Sequence, residues 1–163
     1  ARIGEVAAAD RAAPREPASE APPARSPTVA TTATGDARAD YDVAYAYLIQ
    51  RQYDRAEMAF RGFLQSHPRD RLVADATFWL GETYRERNRP REAAEQYLKV
   101  STDYARSSKA PDALLKLGMA LVSLGAKDQA CATFAEVERK YPTASTTLRQ
   151  NVDREQKRAR CTA

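Results

Sequence analysis

Histidine and tryptophan occur once each in this 163-residue chain, cysteine and methionine twice each, and glycine six times. As a general base the lone histidine, His67, would need an orienting partner, and it reads instead as an exposed turn residue ahead of Pro68. Serines and threonines are scattered without a base beside them, and neither a glycine-rich phosphate loop nor paired metal-ligand spacing occurs. Catalytic, cofactor and metal residues are therefore all expected to be none. No apolar run approaches the ~20 residues of a membrane span. Mean hydropathy is −0.65 and 29% of residues are charged, so no membrane insertion is expected.

A large surplus of one charge sign is missing too. The formal charge is +4, and residues 149–163, with five basic and two acidic groups, hold most of the excess. Arg149, Arg154, Lys157, Arg158 and Arg160 are interrupted by Asp153 and Glu155, which describes a solvated helix face; phosphate binding needs a larger basic surface with stacking aromatics. No nucleic-acid partner is expected.

What the chain does have is a stride of 37. Ala56, Ala93 and Ala130 align, as do Phe60, Tyr97 and Phe134, then Phe63, Val100 and Val137; upstream, Ala44, Gly81 and Gly118 match, followed by Tyr47, Tyr84 and Leu121. A small residue with an Ala twelve positions later lets two antiparallel helices approach closely, so Gly81 is expected to face Ala93, and Gly118 to face Ala130. Residues four and seven positions beyond that Ala share its stripe and fill the space between units. Each unit is a helical hairpin, and hairpins that cannot cover their own apolar faces stack into an array.

The spacing predicts helices over about 39–50 with 53–66, 71–87 with 90–105, and 109–124 with 127–141. Asp36, Asp40 and Asp70 are candidate N-caps, Pro90 and Pro111 suit a first turn, Gly125 suits a left-handed C-terminal position, and Pro68 and Pro142 stop second helices. A seventh amphipathic helix over about 144–160, with Ala144, Leu148, Val152 and Ala159 on one side, would cap the array. Residues 1–39, rich in Ala, Pro, Arg, Ser and Thr and broken by Pro14, Pro17, Pro22, Pro23 and Pro27, read as a disordered linker without the apolar stretch of a secretion signal; any such signal is removed or lies outside this sequence. The organisation is thus 1–39 linker, 40–142 three repeats, and 143–163 capping helix and tail.

Leu80-Gly81-x-x-Tyr84, Ala93 and Tyr97, repeated as Leu117, Gly118, Ala130, Phe134 and Pro142, resemble the tetratricopeptide repeat. The resemblance implies an all-α fold, a right-handed superhelix of three helical hairpins plus the C-terminal capping helix. The family's first-helix Trp is replaced by Thr77, and its period of ~34 is lengthened here, with the extra residues placed around Arg69–Arg71 and Arg106–Ser108. First helices of such hairpins line a concave protein-binding groove, here Tyr41, Tyr45, Leu48, Phe78, Glu82, Arg85, Asp112, Leu115, Met119 and Val122. Its aromatic and acidic residues stand where a carboxylate clamp would need cations, so an extended or helical segment with apolar side chains is the expected occupant. For Tyr41, Tyr45 and Phe78 simple packing between hairpins is the other reading.

Cys131, in the second helix of unit three, and Cys161, beyond the cap, form either a disulfide or two unrelated thiols. A cap running straight back carries residue 161 past residue 131 by roughly 9 Å, at ~1.5 Å per residue, so a bond requires the tail to fold back.

Trp79-Leu80-Gly81-Glu82, the run Lys109 to Gly118, and Ala130 to Phe134 with Tyr141-Pro142 resemble the C-terminal repeat domain of the periplasmic, Tol-Pal-associated cell-division coordinator family (CpoB/YbgF). The resemblance implies a non-enzymatic periplasmic adaptor whose partners are TolA and a bifunctional penicillin-binding protein complex. It also implies self-association through an N-terminal coiled coil, of which this sequence shows no heptads. An oxidising compartment favours pairing of Cys131 with Cys161. Another periplasmic repeat scaffold, such as an outer-membrane protein assembly lipoprotein, is the alternative; an enzyme with a site assembled across hairpins is a third.

Overall fold

The computed structural model describes residues 35–162, which form seven helices and no strand. They are α1 (Ala37–Ile49), α2 (Tyr53–Ser66), α3 (Val73–Glu86), α4 (Pro90–Asp103), α5 (Ala110–Ser123), α6 (Lys127–Lys140) and α7 (Thr146–Arg158). The fold is all-α, three hairpins followed by α7, and the expected boundaries hold to within about two residues. Residues 1–34 of the expected linker lie outside the described residues, and its last three, 37–39, belong to α1 instead, because the Asp36 cap starts the helix there. α1 begins at Ala37, where the Asp36 carboxylate accepts a hydrogen bond from the Arg38 amide. Asp70 sits one turn ahead of α3, accepting from the Leu72 amide through its side chain and from Val73 through its carbonyl. Among the described residues no helix is long and apolar enough to cross a membrane.

Every stride position named above in the second helices is core. Ala56, Ala93 and Ala130, with Phe60, Tyr97, Phe134 and Val100, are wholly buried, and Phe63 and Val137 almost so. The glycines correct one expectation. A Cβ on Gly81 would meet the Tyr97 ring at 2.8 Å, and one on Gly118 would run into the Phe134 ring; the alanines are not the nearest neighbours. Long helical side chains lean toward their own N-terminus, so the ring four residues after the alanine reaches back over it and takes the glycine's space.

The first helices end alike. Arg51, Asn88 and Gly125, spaced by the stride, all have φ near +60 to +77°. The next amide then bonds back five residues: Gln52 to Tyr47, Arg89 to Tyr84, Ala126 to Leu121. This is the turn in which a left-handed residue satisfies the last carbonyls of a helix.

α7 ends in the same turn, with Arg160 at φ 56° and the Cys161 amide bonded to Gln156 O. It therefore repeats α5 at an offset of 35. Ala113, Leu117 and Ala120, buried in α5, correspond to the buried Leu148, Val152 and Glu155. α7 takes the place that the first helix of a further hairpin would hold, packed on α5 and α6, and the glycine position is taken by the exposed Asp153. An exposed carboxylate cannot seat a buried ring, so its outer face stays polar, as a cap requires.

This register also places the cysteines. Glu57 of α2 reaches across to Arg89, the residue after the left-handed Asn88 that ends α3, at 2.8 Å, and to Arg87 at 3.2 Å. Two strides on from Glu57 stands Cys131, and the residue of the α7 turn equivalent to Arg89 is Cys161. The two are joined by a disulfide with Cα atoms 5.5 Å apart. The ~9 Å overshoot does not arise, because the left-handed turn at Arg160 ends the helix and folds the tail back.

Candidate functional site: the face of the first helices

The expected groove residues occupy three chemically distinct stretches. At the first, Tyr41 and Tyr45 lie one turn apart on α1, half-buried, with parallel rings 6.2 Å between centroids. Trp79 of α3 meets Tyr45 edge-on at 5.2 Å, and the Lys109 ammonium rests 4.8 Å from the Trp79 ring and 5.5 Å from that of Phe78. Phe78 is buried beneath this layer and belongs to the floor. Burial pushes the Tyr41 hydroxyl above its usual range, aided by the nearby Asp75 carboxylate and opposed by a hydrogen bond with Trp79.

The second stretch is ionic. Glu82, buried, accepts a 2.6 Å hydrogen bond from the Tyr97 hydroxyl and pairs with Arg85 at 2.9 Å and Lys116 at 3.3 Å. Desolvation alone would raise its pKa, but Lys116, the Tyr97 hydroxyl and Arg85 together hold it below the usual carboxylate range. Burial first, and then the same contact, push Tyr97 upward. Because the Glu82 pKa is depressed on folding, its contribution to stability is full above the unfolded value, ~4.3, and is lost as pH falls through the folded value. Glu82→Gln should therefore flatten the acid limb of a urea-stability profile; an unchanged slope below about pH 4 would remove this network from the account.

The third stretch is aliphatic. Met119 and Val122 of α5, with Arg85 from α3 and Glu155, Arg158 and Ala159 from α7, line a pocket of about 390 Å³. The structure thus brings Arg85, Met119 and Val122 together. Leu48 is half-buried against the core, Leu115 is buried, and Asp112 is exposed on the first turn of α5. Trp79, Lys109, Lys116 and Arg158 join the site without having been expected there. A signal existed for two of them. Trp79 follows Tyr45 by 34 residues, and Lys116 follows Glu82 by the same interval, so one inter-unit contact is aromatic at the first junction and ionic at the second.

No group of three or more His, Cys, Asp or Glu suited to a metal occurs among the described residues. The arrangement presents apolar surfaces and fixed charges along a row of helices, which defines a helical-repeat protein-binding scaffold. The chain carries tetratricopeptide repeats: profiles described as tetratricopeptide repeat match residues 41–108 and 112–144. The second TPR domain of human RPAP3, solved in complex with an HSP70 peptide, superposes with a TM-score of 0.62 at 15% identity, over 77% of this chain and 96% of that one. The Sgt2 TPR domain of Aspergillus fumigatus gives 0.61 at 13% identity, over 76% and 79%. Pseudomonas aeruginosa pilF gives 0.61 at 20%, over 78% and 58%. These likenesses concern the fold. In sequence, 42 residues are 38% identical to the cell division coordinator CpoB of Pseudomonas putida, covering 26% of this chain and 16% of that protein.

Proposed function

We propose that this chain is the repeat part of a periplasmic cell-division coordinator. It is a non-enzymatic adaptor that holds TolA on the face of its first helices and links it to a bifunctional penicillin-binding protein complex, so that septal peptidoglycan synthesis keeps pace with outer-membrane constriction. The observation that carries this reading is the 38% identity over 42 residues to CpoB. The disulfide between Cys131 and Cys161 supports it from another side, because such bonds persist in oxidising compartments. The row of aromatic, ionic and aliphatic surfaces suits capture of a protein segment.

Calorimetric titration of the oxidised chain with the periplasmic part of TolA tests the partner. Saturable binding, weakened at least about tenfold (1.4 kcal/mol) by Tyr45→Ala or by Met119→Asp, is expected. Absence of binding at high micromolar concentration would end the assignment.

A further inference from the structure

Three properties of the aromatic stretch bear on its occupant. Its surfaces are flat: Tyr41 and Tyr45 present parallel rings along α1, and Trp79 stands edge-on beside them as a wall. Its donors are unspent. The hydroxyls of Tyr53, Tyr97 and Tyr141 donate to Glu86, Glu82 and the Ala105 carbonyl, whereas neither Tyr41 nor Tyr45 donates to a protein acceptor among the described residues. Its charge is unpaired: Asp75, half-buried beside Tyr41, has no ion-pair partner among the described residues. The same holds for Asp112, one stride further on.

Flat rings, free donors and a free carboxylate together select an occupant. A branched aliphatic side chain or one face of a helix needs a hole to fill, and a helix has already used its backbone carbonyls. A polyproline II segment has neither requirement. Its proline rings stack on aromatic faces, its carbonyls carry no internal hydrogen bonds and so accept from tyrosine hydroxyls, and little conformational entropy is lost when it binds. The carboxylates add a preference for lysine or arginine flanking the prolines.

We infer that the Tyr41–Tyr45–Trp79 surface docks a proline-rich, basic, extended segment of a partner protein. This rests on the reading of the first-helix face as the partner site, and adds to it the chemistry of what sits at the α1 end. Lys109, seated on Trp79 and Phe78, closes the site toward α5 and turns the basic end of the segment toward Asp75.

Trp79 is the chain's sole tryptophan and serves as the reporter. The oxidised protein is titrated with a short synthetic peptide of consecutive prolines flanked by lysines, and separately with an alanine-based helical peptide of equal charge. A saturable change in Trp79 emission is expected with the proline peptide alone. Tyr45→Ala should weaken it at least about tenfold with helicity unchanged, Tyr45→Phe should weaken it less, and Asp75→Asn should lower affinity for the lysine-flanked peptide but not for an uncharged proline peptide. No emission change up to millimolar peptide, equal binding of the helical peptide, or indifference to Tyr45→Ala overturns the inference. TolA binding that depends on Tyr45 without any proline-peptide binding sinks this inference and leaves the adaptor reading standing; the converse result does the opposite.

Discussion

Gly118→Ala is expected to destabilise the domain by about 1–3 kcal/mol, while Gly62→Ala should stabilise it by up to about 1 kcal/mol. Both glycines lie inside helices, so intrinsic propensity favours alanine at each. They differ in what the added methyl meets. At Gly62 there is nothing within 4 Å. At Gly118 the methyl enters the ring of Phe134, which is wholly buried and has no free volume to turn into. Gly118→Leu should exceed the alanine effect and break the contact between α5 and α6. Urea unfolding of the three variants measures the outcome, and a neutral Gly118→Ala would mean that the rings are not seated on the glycines.

Loss of the disulfide should have the other large effect. Cys131 and Cys161 are 30 residues apart, and closing a loop of that length stabilises by ~3.5 kcal/mol through the unfolded state. The full figure appears only if the domain unfolds as one unit. α7 has few buried anchors, with Leu148 and Val152 the main ones, so Cys161→Ala should first expose residues 146–161 to hydrogen exchange while α1 to α4 keep their protection. Uniform loss of protection along the chain would contradict this, and two reactive thiols in the denatured, unreduced protein would remove the bond altogether.

The stride of 37 made the hairpins, the caps and most of the core legible, because stacked units repeat their buried positions. Several features of the site were not legible in this way. Gly81 was matched with Ala93 because both lie at the helix crossing, yet Tyr97 occupies the space; spacing locates a stripe but not which side chain on it leans across. Phe78 and Leu115 fall at groove positions by register and are nevertheless buried, Phe78 beneath a lysine contributed from the residue just before α5. A loop residue's reach is not periodic, so Lys109 gave no warning. The cysteines failed as arithmetic for a related reason. α7 follows α5 by 35 residues instead of 37, and only with that offset does Cys161 fall where Arg89 does.

The link between Cys131 and Cys161 also decides how the domain bears load. A pull applied beyond residue 161 passes through the sulfur bridge to Cys131 near the start of α6, bypassing α7 and the rest of α6. Most of α6 and all of α7 then sit inside a covalent ring and cannot be peeled from the chain's end, so tension on the tail enters the fold at the first turn of α6, next to the turn that joins it to α5. Under reducing conditions the same pull would unzip the chain turn by turn, at far lower force.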